Sequence, residues 1–502
     1  MAAEQGKTVT LKAFIDKQRN RVAFVESGKD FVDILLSFLT MPLGTIVRLA
    51  GKQKQPCVIG CMNNLYQSLE NFDSALLGKE TVKDMLLRPK NPAGVKYSKL
   101  KINIDEIEPM KYYVCRQLLI DMHSNNNHSP FGGFGSSSSN KNHRNALFST
   151  SLNATCECGG LTGTDLLLDD ENVNEGAFIK GLTFMVSDDL QIKPIGTGPI
   201  FTYLNDLGIR EIDAHALEEK TITIGADEFL ALLRVSSTPL TEMLLSNGIL
   251  KLKSKDVTQT PRSEDITQSS KSGDTENLDT EMCIKITVRK SNNKFLYAEA
   301  GKDFVDFLFS LLMLPLGSVV KLLDQTPRLQ CFSNLYGSVE CPALSKHITP
   351  TNKELLLSPM VDPYFDCKNE RLSLEMFQPK YYLKSKENYG ILITNASFTT
   401  STGEILKPID ADRCSSPCEF VKGPATFMIT DDLVVIPFSF TSCISLLEKE
   451  NISMDNVDAQ VVSIGRKEAL ILLEAALTSK NALTTAFINS GNTGLKKLKQ
   501  EI

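Results

Sequence analysis

The run GKDFVDILLSFLTMPLG at residues 28–44 returns at 301–317 as GKDFVDFLFSLLMLPLG, identical at twelve of seventeen positions across an offset of 273 residues. Further matches follow in the same order. NLYQSLE at 64–70 is answered by NLYGSVE at 334–340, and PMKYY at 109–113 by QPKYY at 378–382. FMVSDDLQIKPI at 184–195 is answered by FMITDDLVVIPF at 427–438. An ordered set of matches at one large spacing points to tandem duplication of a whole unit rather than to a short solenoid repeat. A chain of 502 residues is also too long for one ordinary core. Between the matching regions, residues 252–280 are polar and almost free of large apolar side chains, which reads as a flexible linker that cannot offset its ordering entropy. The expected organisation is therefore a first unit over 1–250, a disordered linker over 251–280 and a second unit over 281–502. The two units are expected to fold separately. Unit one also carries a Gly/Ser/Asn-rich insert at about 123–145, which holds three of the five histidines, His123, His128 and His143. It reads as a surface loop rather than a metal site.

Periodicity sets the fold class. In each unit two alternating strands flank a polar turn, VTLKAF and RVAFV in the first, IKITV and KFLYA in the second. The repeated run then reads as a helix, with Asp30 as its N-cap and Pro42 and Gly44 ending it. Asp30, Asp33 and Ser37 share one narrow arc and the other faces are apolar, so the helix is expected to be mostly buried, with the Lys29 charge at best pairing with Asp33 on its surface. Further strands and helices follow, including TITIG into ADEFLALL and VVSIG into RKEALILLEAAL. The expectation is an α+β protein: one mixed unit of β-hairpin, buried helix and further strands and helices, present twice.

Several functions are argued against. A net charge of −6, with no run of five like charges, shows neither a nucleic-acid footprint nor a polybasic membrane anchor. The longest apolar runs each contain an Asp and are too short to span a bilayer. The N-terminal MAAEQGKTVT lacks a secretory or transit pattern, and twelve cysteines without one fit a reducing compartment, so a cytoplasmic or nuclear location is expected rather than secretion. Gly28-Lys29 is not the end of a phosphate loop, because Ala23 stands where that loop needs glycine and Asp30 where it needs Ser or Thr. Asp188-Asp189 and Asp431-Asp432 are paired carboxylates, but each pair lies between two β-rich runs and reads as a hairpin turn. His215 and His347 occupy unrelated places in the two units, so no histidine base belongs to the shared unit.

The thiols are the sharpest chemical signal. Cys57 and Cys61 in CVIGC, with Cys156 and Cys158 in CEC, offer four sulfurs for a tetrahedral structural zinc. Cys331, Cys367, Cys414 and Cys418 offer an analogous set in unit two. The spacing departs from the usual paired knuckles, and the competing reading is that these are buried thiols serving as small hydrophobes. No catalytic residue and no cofactor other than such a zinc is indicated.

The segments AEAGKDFVDFLFSLLMLPLGSVVKLL, CFSNLYGSVE, KYY, FMITDDL and SIGRKEALILLEAAL, taken in order, resemble the plant family called domain of unknown function 674. The likeness covers nearly the whole chain, twice. It implies plant proteins, often of tandem copies, with no established activity, substrate or cofactor. Members often carry cysteines shortly before NLY and as CxCG, the positions of Cys57, Cys61, Cys156 and Cys158. Unit two departs from that pattern, with no cysteine at the Cys57 position and CSSPC in place of CECGG. The functional expectation is a non-enzymatic intracellular interaction or scaffold protein with a protein partner. The alternative is an enzyme or small-ligand binder with a carboxylate or thiol site between the units.

Overall fold

A computed structural model describes, apart from short breaks, residues 7–125, 146–166, 176–195, 217–246, 282–361, 381–394, 405–408, 420–489 and 496–497. The expected linker and most of the expected insert lie outside the described residues. The first half opens with β1 (Val9–Asp16) and β2 (Arg21–Ser27), an antiparallel hairpin in which Val9, Leu11 and Ala13 alternate buried with Thr10 and Lys12 exposed. Strands β3 (Tyr112–Cys115), β4 (Ala146–Ser149), β5 (Thr162–Leu166), β6 (Phe184–Ser187), β7 (Ile192–Pro194) and β8 (Leu217–Ile224) follow. The second half has β9 (Met282–Arg289), β10 (Phe295–Ala300), β11 (Tyr381–Lys386), β12 (Gly390–Thr394), β13 (Ile405–Pro408), β14 (Phe427–Thr430), β15 (Val435–Pro437), β16 (Val457–Ile464) and β17 (Lys496–Lys497).

These strands make three sheets. One, in the order β7-β6-β2-β1-β8, belongs to the first half, and β15-β14-β10-β9-β16-β17 belongs to the second. The third, β12-β11-β13-β4-β3-β5, draws on both, joined by the parallel pair β13 and β4. With helices packed on these sheets, the fold is mixed α+β.

The repeated run forms the helices Lys29–Ser37 and Lys302–Ser310, each followed by a short 3-10 turn and a second helix, Leu43–Gly51 or Leu316–Leu322. Every residue from Phe31 to Ser37 is buried. Two details of the sequence reading are corrected. The N-cap is Gly28, not Asp30, which instead pairs with Lys101 at 3.5 Å. Asp33 does not meet Lys29 on the surface. It is buried and accepts hydrogen bonds from the backbone amides of Ala177, Phe178 and Ile179 at 2.8–3.0 Å. A polar arc on a buried helix is tolerable because its groups are satisfied there: Asp33 by these amides, Ser37 by donating to the Ile34 carbonyl.

The two halves, expected to fold separately, share their core. One continuous hydrophobic core contains Phe31, Leu35 and Phe229 together with Phe304, Leu308 and Phe487. The two copies of the repeated run face each other. The Leu43 amide donates to the Leu314 carbonyl and the Leu316 amide to the Met41 carbonyl, both at 2.9 Å, around an antiparallel Pro42–Pro315 bridge. Farther out, each half hands its NLY helix to the other. In the helix Met62–Glu70, Asn64 donates to Asp432 at 3.0 Å, and Ser68 accepts from the Val435 amide at 3.0 Å. In the helix Gln330–Glu340, Asn334 donates to Asp189 at 2.9 Å, and Ser338 accepts from the Ile192 amide at 2.9 Å. The physical reason is that the apolar surface on each sheet and buried helix is completed by the other half, so neither half closes its own core.

Candidate metal centre

β3 sits between β4 and β5 in the shared sheet, and Cys115 is its last residue. A bulge shifts the register from Val114–Thr164 to Cys115–Thr162, re-aiming the chain at that end. The turn before β5 is closed by Asn153 and Thr162, with the Asn153 amide on the Thr162 carbonyl at 2.7 Å and the Thr162 amide on the Ala154 carbonyl at 2.8 Å. Within it lies a tight knuckle. The Cys156 amide donates to the Gly160 carbonyl at 2.8 Å, the Gly159 amide donates to the Cys156 carbonyl at 2.9 Å, and the Gly160 amide donates to Cys158 Sγ at 3.4 Å. Gly159 has φ +81°, a region costly for other residues. A Cβ on Gly160 would stand 3.1 Å from Cys115 Sγ and 3.3 Å from Cys158 Sγ. The glycine pair of CECGG thus makes the turn and leaves room for the sulfurs.

The sulfurs of Cys115, Cys156 and Cys158 all lie within 4.8 Å of one another. Cys115 and Cys156 are buried and Cys158 is half-buried. Burial pushes the Cys156 thiol up to about 11. In the absence of a cation it holds its proton, and a bound metal ion is what would draw the proton off. Three soft donors on two segments, 41 residues apart at their nearest (156 − 115), suit a thiophilic ion such as zinc.

Of the four cysteines expected to meet, only Cys156 and Cys158 are together here. Cys57 lies outside the described residues. Cys61 belongs to the main core, where its thiol donates to the Ser479 carbonyl at 3.1 Å and burial pushes it up to about 11. Cys331 is likewise buried in the main core and raised to about 11 by burial. Cys367, Cys414 and Cys418 lie outside the described residues, as do His128, His143 and the side chain of His123. The missed member is Cys115. Its signal was in the sequence: KYYVC puts a cysteine two residues beyond the shared KYY, where the second half has Lys384.

The carboxylate pairs occupy the turns joining β6 to β7 and β14 to β15, with Leu190 and Leu433 at φ +64° and +63°. They act as two-way latches. Asp188 accepts from the Thr241 amide and hydroxyl at 2.8 and 2.7 Å, and Asp431 accepts from the Thr484 amide and hydroxyl, both at 2.7 Å. Asp189 and Asp432 take the asparagines of the opposite half. Burial raises Asp188 to about 6, against the pull of its Thr241 hydrogen bonds. A carboxyl raised in the folded state contributes stability that is complete below its unfolded value near 4 and lost as pH rises through about 6. Denaturant midpoints measured across pH 4–7 are therefore expected to carry a component on the order of 2–3 kcal/mol from this group, falling with rising pH, and Asp188→Asn is expected to remove it.

The family described as "Protein of unknown function (DUF674)" matches residues 5–467. No curated protein and no solved structure matches the chain. With the match running over nearly the full length of the sequence, through both repeated runs and the cysteine knuckle, the chain belongs to the DUF674 family of proteins of unknown function.

Proposed function

We propose that this chain is a non-enzymatic interaction or scaffold protein, built by tandem duplication and stapled by a structural zinc ion held by Cys115, Cys156 and Cys158. The convergence of those three sulfurs carries the reading. Zinc there would tie the end of β3 to the knuckle before β5, in a small cluster where few apolar side chains, among them Met110, Tyr112, Val114, Leu118, Phe148 and Leu166, do the packing. The use of both carboxylate pairs as latches supports a non-enzymatic role, since those groups are spent on structure. A cytoplasmic or nuclear setting, where thiols stay reduced, and a protein partner complete the proposal. Among the described residues no helix is long and apolar enough to cross a membrane.

Elemental analysis of the native protein is expected to find about one zinc per chain. Cys115→Ser and Cys158→Ser should each lower that content at least severalfold, while Cys61→Ser should leave it unchanged. Native protein without metal, or zinc lost equally in the Cys61 variant, would refute the assignment.

One observation favours a second reading, that of a small-ligand binder. Three sulfurs fill three of zinc's four usual positions, the arrangement in which a zinc ion can take a further ligand. Cobalt-substituted protein whose visible spectrum shifts on addition of a small anion or imidazole would support it.

A further inference from the structure

The contacts between the halves have the form of a two-subunit interface. Each half gives the same kind of helix and receives it on the same kind of hairpin: Asn64 and Ser68 against Asp432 and Val435, Asn334 and Ser338 against Asp189 and Ile192. The flanking strand bridges are paired in the same way, Leu77 with Val421 and Ile179 with Ile348. So are the close backbone contacts around them, where the Lys422 amide donates to the Leu76 carbonyl at 2.8 Å and the Lys180 amide to the His347 carbonyl at 2.7 Å. Such reciprocity is how isologous dimers are built. The covalent connection between the halves lies almost wholly outside the described residues. It runs from Ser246, the end of one helix, to Met282, the start of β9, so 35 residues (247–281) join them. At ~3.3 Å per residue that connection reaches at most roughly 115 Å.

We infer that the partner this interface fits is a second copy of the same chain: two chains exchange halves, residues 1–246 of each latching onto residues 282–489 of the other. Every contact described above is then remade in trans, and the two chains are held together only by their 247–281 connections. Pairing within a chain has an effective concentration on the order of millimolar, so exchange is expected where chains fold at high local concentration and is scarce in dilute solution. Exchange of this kind joins two chains without any new surface, and so gives an interaction protein a way to bridge two copies of itself.

The full chain carrying a specific protease site within 252–280 tests this. Refolding at high concentration should yield a species of twice the 55.5 kDa chain mass by light scattering, absent after dilute refolding. Cutting the connection should turn that dimer into particles of one chain's mass, each a noncovalent pair of halves. Three results would overturn the inference: no dimer at any concentration, a dimer that keeps its doubled mass after cutting, or cut chains that part into separate half-mass fragments. For protein that refolds poorly, cut native preparations serve instead. Isotopically heavy and light samples, mixed and held a few degrees below their melting point, should trade halves and give mixed pairs by native mass spectrometry. Unmixed pairs throughout would refute it equally. Asn64→Asp with Asn334→Asp sets a carboxylate against Asp432 and Asp189, and should weaken association of the cut halves at least tenfold.

Discussion

Gly317→Ala is expected to destabilise the chain by about 3 kcal/mol and Gly317→Val by more, although glycine to alanine within a helix ordinarily stabilises. Gly317 lies in the first turn of the Leu316–Leu322 helix, where the two repeated runs cross. A Cβ there would stand 2.7 Å from the Leu356 carbonyl oxygen, 2.9 Å from that of Leu39 and 3.3 Å from Pro359 Cγ. Two of those three atoms are backbone, and Leu39 belongs to the opposite half, so relief requires prising the halves apart. Gly44, the counterpart, is less confined, with the Leu312 oxygen at 3.0 Å and the Leu86 oxygen at 3.3 Å, so Gly44→Ala should cost about 1–2 kcal/mol. Gly337 is the internal control. It sits inside the helix Gln330–Glu340 with nothing within 4 Å of its Cβ direction, and Gly337→Ala should stabilise by about 0.5–1 kcal/mol. Equilibrium denaturation of the three alanine variants gives the order. A Gly317→Ala chain as stable as the unsubstituted one would mean that the two runs do not cross as described.

Much of this was legible from side-chain pattern alone. Alternation in VTLKAF specified a half-buried strand, and the apolar run after Asp30 specified a buried helix, because burial on one face or on all faces leaves its period in the sequence. The paired aspartates read correctly as hairpin turns. Two things were not legible. The first was which half each element packs on: a helix that completes its own sheet and one that completes its neighbour's bury the same residues in the same register. Asn64 and Asp432 lie 368 residues apart, and neither motif names the other. The same ambiguity hid the burial of Asp33, whose partners are backbone amides at 177–179 and so carry no side-chain signature. The second was the makeup of the sulfur cluster. Counting spacings grouped CVIGC with CEC because both hold two cysteines. Strand pairing instead delivered the single Cys115 beside the knuckle, while the buried face of the helix beginning at Met62 drew Cys61 into the main core.

The shared core also fixes what a substitution in one half does to the other. Phe31 is fully buried in the first turn of its helix, with its ring 5.5 Å from that of Phe229. Phe31→Ala is expected to cost about 3–5 kcal/mol, the transfer of the ring together with the cavity it leaves. Lys29→Ala should cost less than about 0.5 kcal/mol, because no buried contact is removed. The informative readout is the shape of the transition as well as its midpoint. If the halves folded separately, Phe31→Ala would split the melt, lowering a first-half step and leaving a second-half step in place. With Phe31 and Phe304 in one core, and each half's NLY helix seated on the other's hairpin, loss of the first half removes the surface that closes the second. A single transition shifted as a whole is therefore expected. It should be seen alike by far-ultraviolet circular dichroism and by a fluorescent label on the exposed Cys341 of the second half, in a chain where serine replaces the exposed Cys283 and also Cys57, Cys367, Cys414 and Cys418, which lie outside the described residues. Two separated transitions in the Phe31→Ala chain, with the Cys341 probe reporting an unshifted midpoint, would return the protein to two independent domains.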